Sequence, residues 1–350
     1  MPPRHFHHET EPGATKQNMQ RLLVIRGGAV GDLIVTLPVL GALRQAFPQA
    51  GLDVLGHASR AILARHPTYA DGVRDLDAEG WHRLFRPQAM APQPLAVYLR
   101  TLDLVLSYLP VSDPGFAANL RRYCPGTVIT WPPHPPDGVH ATDHLLQAVS
   151  HLVPGVSIDP CPQVPLEPQA QAEMADFWHA AGLPDHGVIA LHPGSGGRHK
   201  LWPLDGWTQV MRWVEQQGLT GIMICGPAEQ ERDLQPLRET HSSAWRWTPE
   251  LTLPQLAALL ARCRVLMGHD SGVTHLAAAV GTTVLALFGP TDPLSWGPRS
   301  PQACVLQPSP PQLLTLENLA PQVVTETLDA LLRQTFGFDT SQTPCTMVRP

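Results

Sequence analysis

From Arg21 onwards, short apolar runs alternate with stretches in which apolar residues return every three or four positions. Arg21-Leu-Leu-Val-Ile-Arg26 reads as a strand, and the spacing of Leu33, Leu37, Leu40 and Leu43 then predicts a helix over 32–46. The same alternation predicts strand 52–55, helix 59–65, strand 73–76, helix 81–99, strand 102–108, helix 116–123, strand 127–131 and helix 142–152. Residues 153–168 carry proline, serine and polar residues without periodicity, and a hinge is expected there. The pattern restarts with helix 169–181, strand 188–192, helix 204–217, strand 221–225, helices 229–240 and 253–262, strand 265–267, helix 273–280, strand 284–288 and a last helix over 321–336. Regular β/α alternation belongs to parallel sheets covered on both faces. The expected fold is therefore α/β, with two Rossmann-like doubly wound domains (21–160 and 161–336) between a flexible leader (1–20) and a flexible tail (337–350). Two such domains facing one another bind ligand in the cleft at the carboxyl ends of their strands.

Composition narrows the class of molecule. A chain of 350 residues suits two domains of about 150 each. A net charge of −6 argues against nucleic acid as a main partner. No apolar run approaches the roughly 18–20 residues of a membrane span, and the His-rich start, with His5, His7 and His8, is unlike a secretory signal, so a cytoplasmic protein is expected. The six cysteines lack C-x-x-C spacing and read as thiols rather than as a zinc or disulfide framework. Lys16 and Lys200 are the only lysines, and only Lys200 falls in the folded part.

Four turns at strand ends carry candidate chemistry. Gly27-Gly-Ala-Val-Gly-Asp32 fails the dinucleotide fingerprint, because Ala29 and Asp32 stand where glycine is needed and an acid would repel a pyrophosphate. It offers instead a carboxylate beside a helix start, either a general base for an acceptor hydroxyl or an N-cap. His192-Pro-Gly194-Ser195-Gly-Gly-Arg198-His-Lys200 is rich in glycine and cations, so Arg198 or Lys200 could neutralise a leaving diphosphate, or lie on an ordinary surface loop. Gly226-Pro-Ala-Glu229-Gln-Glu231 places acids where ribose hydroxyls or a helix dipole would hold them. Gly268-His-Asp270-Ser271-Gly272-Val273 runs from a strand straight into a helix, leaving backbone N–H groups open to an anion, with Asp270 able to accept from sugar hydroxyls. His275 reads as a core histidine or a phosphate contact. Asp75-Leu-Asp77 has a metal-type D-x-D spacing but reads as two solvated acids, and no metal site is expected.

Taken together and in order, Leu23 to Pro38, the His-Pro-Gly-Ser loop with Lys200-Leu-Trp-Pro203, and His269 to Ala279 through Phe288-Gly-Pro-Thr-Asp-Pro293 resemble glycosyltransferase family 9, the ADP-heptose:lipopolysaccharide heptosyltransferases. The resemblance implies a GT-B fold with the acceptor half first, and inverting, metal-independent transfer without a cofactor. By motif, Asp32 would be the catalytic base and Lys200 the diphosphate-neutralising cation. His192, Gly194, Ser195, Asp270, Ser271, Gly272, Val273 and His275 would line the donor site, and Glu229 would meet the ribose. The expected partners are a nucleotide-sugar, ADP-heptose being favoured, and a saccharide or glycolipid acceptor at the inner membrane surface. Gly31, Asp32, Arg60, Arg121 and Arg122 are the candidates for binding that acceptor. The turn Gly27-Gly-Ala-Val30 lacks the serines that family members often carry there, and Val273-Thr274 stands where many have Pro-Met or Pro-Leu. Eleven arginines against eleven acids between 21 and 161 leave room for a less charged acceptor. A nucleotide-sugar epimerase and a non-catalytic nucleotide-sugar-binding protein are the competing readings.

Overall fold

The computed structural model describes residues 19–110, 114–226, 234–240, 243–308 and 314–334. The expected leader, the expected tail and Glu229 lie outside the described residues.

The first half builds a five-stranded sheet, all parallel, in the order β3-β2-β1-β4-β5, from Arg21–Ile25 (β1), Gly51–Gly56 (β2), Gly72–Asp75 (β3), Leu104–Ser107 (β4) and Thr127–Thr130 (β5). The second builds a six-stranded parallel sheet in the order β11-β10-β9-β6-β7-β8, from Ile189–His192 (β6), Gly221–Met223 (β7), Trp245–Trp247 (β8), Val265–His269 (β9), Thr283–Leu287 (β10) and Ala303–Leu306 (β11). The central strands are apolar along most of their length because both faces are covered, with polar residues only at their ends. In β1, Leu22 and Val24 enter one core while Leu23 and Ile25 enter another.

The core containing Leu23 and Ile25 lies under helices Gln93–Leu99 (α4) and Pro114–Tyr123 (α5). The core containing Leu22 and Val24 takes in helices Val30–Ile34 (α1), Leu37–Ala46 (α2) and Ala141–Gln147 (α6), and runs on to Ala190, Leu266, Val284 and Ala286 of the second sheet. The two halves thus share apolar packing. The segment expected as a hinge holds this seam: the Tyr69 hydroxyl donates to the Gln163 carbonyl (2.7 Å), the Val164 amide donates to the Ala279 carbonyl (2.9 Å), and Val153 and Val164 are buried.

Three of the structure's departures from the sequence pattern have a local reason. The helix expected over 32–46 is two helices, since Pro38 brings no N–H to the first turn of α2, and the Thr36 hydroxyl donates to the Asp32 carbonyl (2.7 Å) at the break. The helix expected over 81–99 is a 3₁₀ turn (Trp81–Phe85) and then α4, with Pro87 and Pro92 between them. β8 and β11 are three and four residues long and lie at sheet edges, too short to register as periodic runs.

Candidate active site

In each sheet the strand order reverses once, between β1 and β4 in the first and between β6 and β9 in the second. Loops leaving the two strands at such a point diverge and open a crevice at their carboxyl ends. The turn bearing Asp32 leaves β1, and the loops bearing Lys200 and Asp270 leave β6 and β9.

Asp32 is the third residue of α1, and its carboxylate folds back on the turn. Oδ2 accepts from the Ala29 amide at the helix N-cap (2.8 Å). Oδ1 accepts from Nη2 of Arg26 (2.7 Å), a guanidinium that also donates through Nε to the Asp32 carbonyl (3.1 Å) and through Nη1 to the Pro133 carbonyl (3.4 Å). The Arg26 side chain is 2% exposed and that of Asp32 23%. Burial pulls the Arg26 guanidinium below its ordinary pKa, and the charge of Asp32 opposes that pull. Gly28 makes the turn possible: its φ is +95°, and a side-chain Cβ there would lie 2.5 Å from Oδ2 of Asp32. Arg60 follows the start of helix Ala58–Ala61 (α3) and donates to the Gly28 carbonyl.

On the other side, Nζ of Lys200 stands 2.5 Å from Oδ2 of Asp270, although 70 residues separate them. The Trp202 amide and the His269 ring tie the two loops together. The Trp202 amide donates to Nε2 of His269 (2.8 Å), which fixes the opposite ring nitrogen as the donor to the Gly194 carbonyl (3.2 Å). Trp202 itself is buried against Trp207 and donates to the Leu319 carbonyl (3.0 Å). The loop carrying Lys200 is thereby pinned to the strand carrying Asp270. The Ser195 hydroxyl adds a bond to the Asp270 carbonyl (3.2 Å). Helix Gly272–Ala279 (α7) then begins at Ser271 with no side chain capping its first amides.

The two turns touch. A Cβ on Gly272 would come within 2.6 Å of the Val30 Cβ, and one on Gly31 within 3.3 Å of the His275 ring. His275 is buried between the charges of Asp270 and Asp32 and donates to the Trp296 carbonyl, and its burial holds its pKa below the ordinary histidine value. Beside it, Nε2 of His140 donates to the Gly297 carbonyl (3.0 Å), and Arg299 grips Asp143 with two bonds of 2.6 Å.

The structure brings together Gly31, Asp32, Arg60, Gly194, Ser195, Lys200, Asp270, Ser271, Gly272, Val273 and His275, and it buries His192 at the end of β6. Arg121 and Arg122 are placed elsewhere. They occupy the last turn of α5, next to Cys124, whose thiol donates to the Leu102 carbonyl just before β4, so they sit at the amino ends of the strands, opposite the crevice. Asp77 pairs with His57 (3.1 Å), the residue that begins α3. Arg26, Trp202, His269 and the 296–299 segment have no assignment in the sequence reading. Arg26 left a trace there as a charged residue closing an apolar strand, and Trp202 and His269 as members of the family motifs without a role.

A sequence profile of glycosyltransferase family 9 (heptosyltransferase) matches residues 134–317, more than half of the chain. The chain belongs to glycosyltransferase family 9. It is 26% identical over 296 residues to lipopolysaccharide heptosyltransferase 3 of Escherichia coli strain K12, covering 77% of this chain and 82% of that one. Its fold matches the family 9 glycosyl transferase of Veillonella parvula DSM 2008 with a TM-score of 0.77 at 21% identity, over 92% of this chain and 99% of that one. It also matches E. coli heptosyltransferase WaaC, solved with ADP-2-deoxy-2-fluoro heptose, with a TM-score of 0.65 at 18% identity, over 89% and 99%. The two facing parallel sheets are the GT-B architecture, and the protein is a glycosyltransferase. No helix among the described residues is long and apolar enough to cross a membrane.

Proposed function

We propose that this glycosyltransferase moves heptose from ADP-heptose to a hydroxyl of a lipopolysaccharide-core saccharide, with inversion and without a metal ion. The observation that carries the reading is the contact between the two turns: a carboxylate partly open to solvent on one side, and an uncapped helix start flanked by the only lysine among the described residues on the other. The diphosphate is held at the start of α7, whose N–H groups and dipole favour an anion. Lys200 neutralises the charge that develops as the diphosphate departs. Asp270, which in the free protein accepts from Lys200, then accepts from sugar hydroxyls. Glu229 remains the candidate for the ribose.

Asp32 takes the proton of the acceptor hydroxyl. The electron pair of that O–H bond forms the new bond to the anomeric carbon, on the face opposite the diphosphate, and the old C–O pair leaves with ADP. Arg60, which donates to the Gly28 carbonyl of the Asp32 turn, would meet an anionic group of the acceptor. The glycolipid nature of such an acceptor would bring the protein to the inner face of the membrane. Support for the sugar and nucleotide comes from relatives that are heptosyltransferases, one of them solved with an ADP-heptose analogue.

Calorimetric titration with ADP-, GDP-, UDP- and CDP-sugars, followed by a transfer assay on heptose-deficient lipopolysaccharide, tests the reading. Preference for the ADP-sugar and acceptor-dependent release of ADP are expected. Equal binding of all four nucleotides, or turnover of donor without acceptor, would overturn it.

A further inference from the structure

We infer that Arg26 is the positioning residue of the base: it holds Oδ1 of Asp32 on the buried side so that Oδ2 is the atom presented to the acceptor hydroxyl. This rests on the assignment of Asp32 as the base. The two carboxylate oxygens have unequal surroundings. The bond from Arg26 to Oδ1 lies on the buried side of the turn, and the bond from Ala29 to Oδ2 on its exposed side. A guanidinium is planar and offers several donors in a fixed fork, so one that is already bonded elsewhere defines where its partner sits. Arg26 is bonded elsewhere twice, to the Asp32 carbonyl through Nε and to the Pro133 carbonyl through Nη1. Its plane also lies 6.0 Å from the centre of the buried Tyr108 ring.

Rotation of the Asp32 side chain is therefore blocked from behind by a charge that cannot move. The missing side chain at Gly28 clears the space beside Oδ2 on the other side. During transfer the acceptor O–H bond breaks and its proton goes to Oδ2. Oδ1 keeps its bond to Arg26 throughout, so the carboxyl plane does not turn as the charge is lost. Arg26 touches neither substrate, and its effect on the reaction passes through Asp32 alone.

Three variants test this: Arg26→Met, Arg26→Lys and Arg26→Ala. With Arg26→Met, kcat is expected to fall by about a hundredfold or more, within the range of a general base. KM for donor and the affinity for ADP by calorimetry should stay within about twofold, because Arg26 touches neither substrate and its loss is felt in the chemical step. Arg26→Lys keeps the charge without the fork and should retain an intermediate kcat, down by roughly tenfold. Added guanidinium ion should restore part of the activity of Arg26→Ala. Should Arg26→Met fail to fold, Arg26→Lys and the guanidinium rescue carry the test.

An unchanged kcat in a folded Arg26→Met or Arg26→Lys protein overturns the inference. So does a variant series in which kcat, both KM values and thermal stability move together with no rescue, since that is the signature of a merely structural arginine. Asp32→Asn separates this from the base assignment. If Asp32→Asn is inactive and Arg26→Met is fully active, only the role of Arg26 falls. If Asp32→Asn is active, the base assignment falls first.

Discussion

The turn after β1 and the turn after β9 are built alike and partnered differently. Each leaves a buried strand, bends within a few small residues and enters a helix, and each carries an aspartate paired with a cation. After β1 the aspartate occupies its own helix N-terminus: Oδ2 of Asp32 takes the Ala29 amide, and the paired cation, Arg26, comes from the same turn and is buried. After β9 the aspartate stands outside the helix, its cation arrives from another loop and is 27% exposed, and no side chain caps the helix start. A helix N-terminus filled by its own carboxylate repels an anion, whereas an uncapped one attracts it. On the proposed reading one geometry serves a proton acceptor and the other an anion holder, and their contact would bring both to one substrate pair.

The largest expected effect comes from disarming the closed turn. Asp32→Asn puts an amide N–H₂ group opposite either the Ala29 amide or Arg26, both donors, and takes away the base. Transfer should fall by about 10³-fold or more, with ADP affinity in calorimetry nearly unchanged. Normal turnover would remove the distinction between the two turns.

Disarming the open turn should cost less in the chemical step and more in donor binding. Lys200→Ala is expected to lower kcat by about 10²–10³-fold and to weaken ADP binding, since it leaves Asp270, 9% exposed, without its cation. Steady-state kinetics with ADP titration check this, and unchanged ADP affinity would argue that Lys200 serves Asp270 only.

Separating the turns without touching either charge tests their contact. Gly272→Ala pushes a methyl group to within 2.6 Å of Val30. A displacement on that scale should lower kcat/KM by about 10–100-fold while circular dichroism stays that of the parent. Parental kinetics would show that the contact is incidental.

The smallest effect concerns the histidines around that contact. Burial holds His140, His144 and His275 below the ordinary value of 6.5. Nδ1 of His140 accepts from the Thr142 amide (3.1 Å) and cannot do so once protonated. The unfolded chain takes up protons as pH falls through about 6.5 while the folded protein resists, so this stability is complete above that pH and is lost as pH falls towards the folded values. The thermal unfolding midpoint should drop by a few degrees, on the order expected for about 1 kcal/mol, between pH 7.5 and pH 5.5. His140→Asn should shallow that slope, and an unaltered slope would count against it.

Much of this was legible along the chain because it depends on neighbours in sequence. Alternating apolar periods announce parallel strands and covering helices, and an acid or a glycine in a strand-to-helix turn marks a position at the carboxyl edge. Asp32, Lys200 and Asp270 could be singled out on that basis. The prolines at 38, 87 and 92 were readable as breaks in hindsight, since each interrupts or opens a helix. Arg121 and Arg122 show the opposite case. Their charges are plain in the sequence, but the direction in which α5 runs puts them at the far end of the sheet.

The order of β and α segments, the parallel character of both sheets and the identity of the turns that leave their strands were determined by the sequence itself, through local periodicity and backbone chemistry. Only the tertiary structure decided which charges meet. Lys200 reaches Asp270 across 70 residues because Trp202 and His269 pin two loops together. Arg26 becomes a buried clamp because Pro133, more than a hundred residues away, supplies a carbonyl behind it. Pairings of this kind depend on burial and on the meeting of distant segments, and no local pattern encodes either.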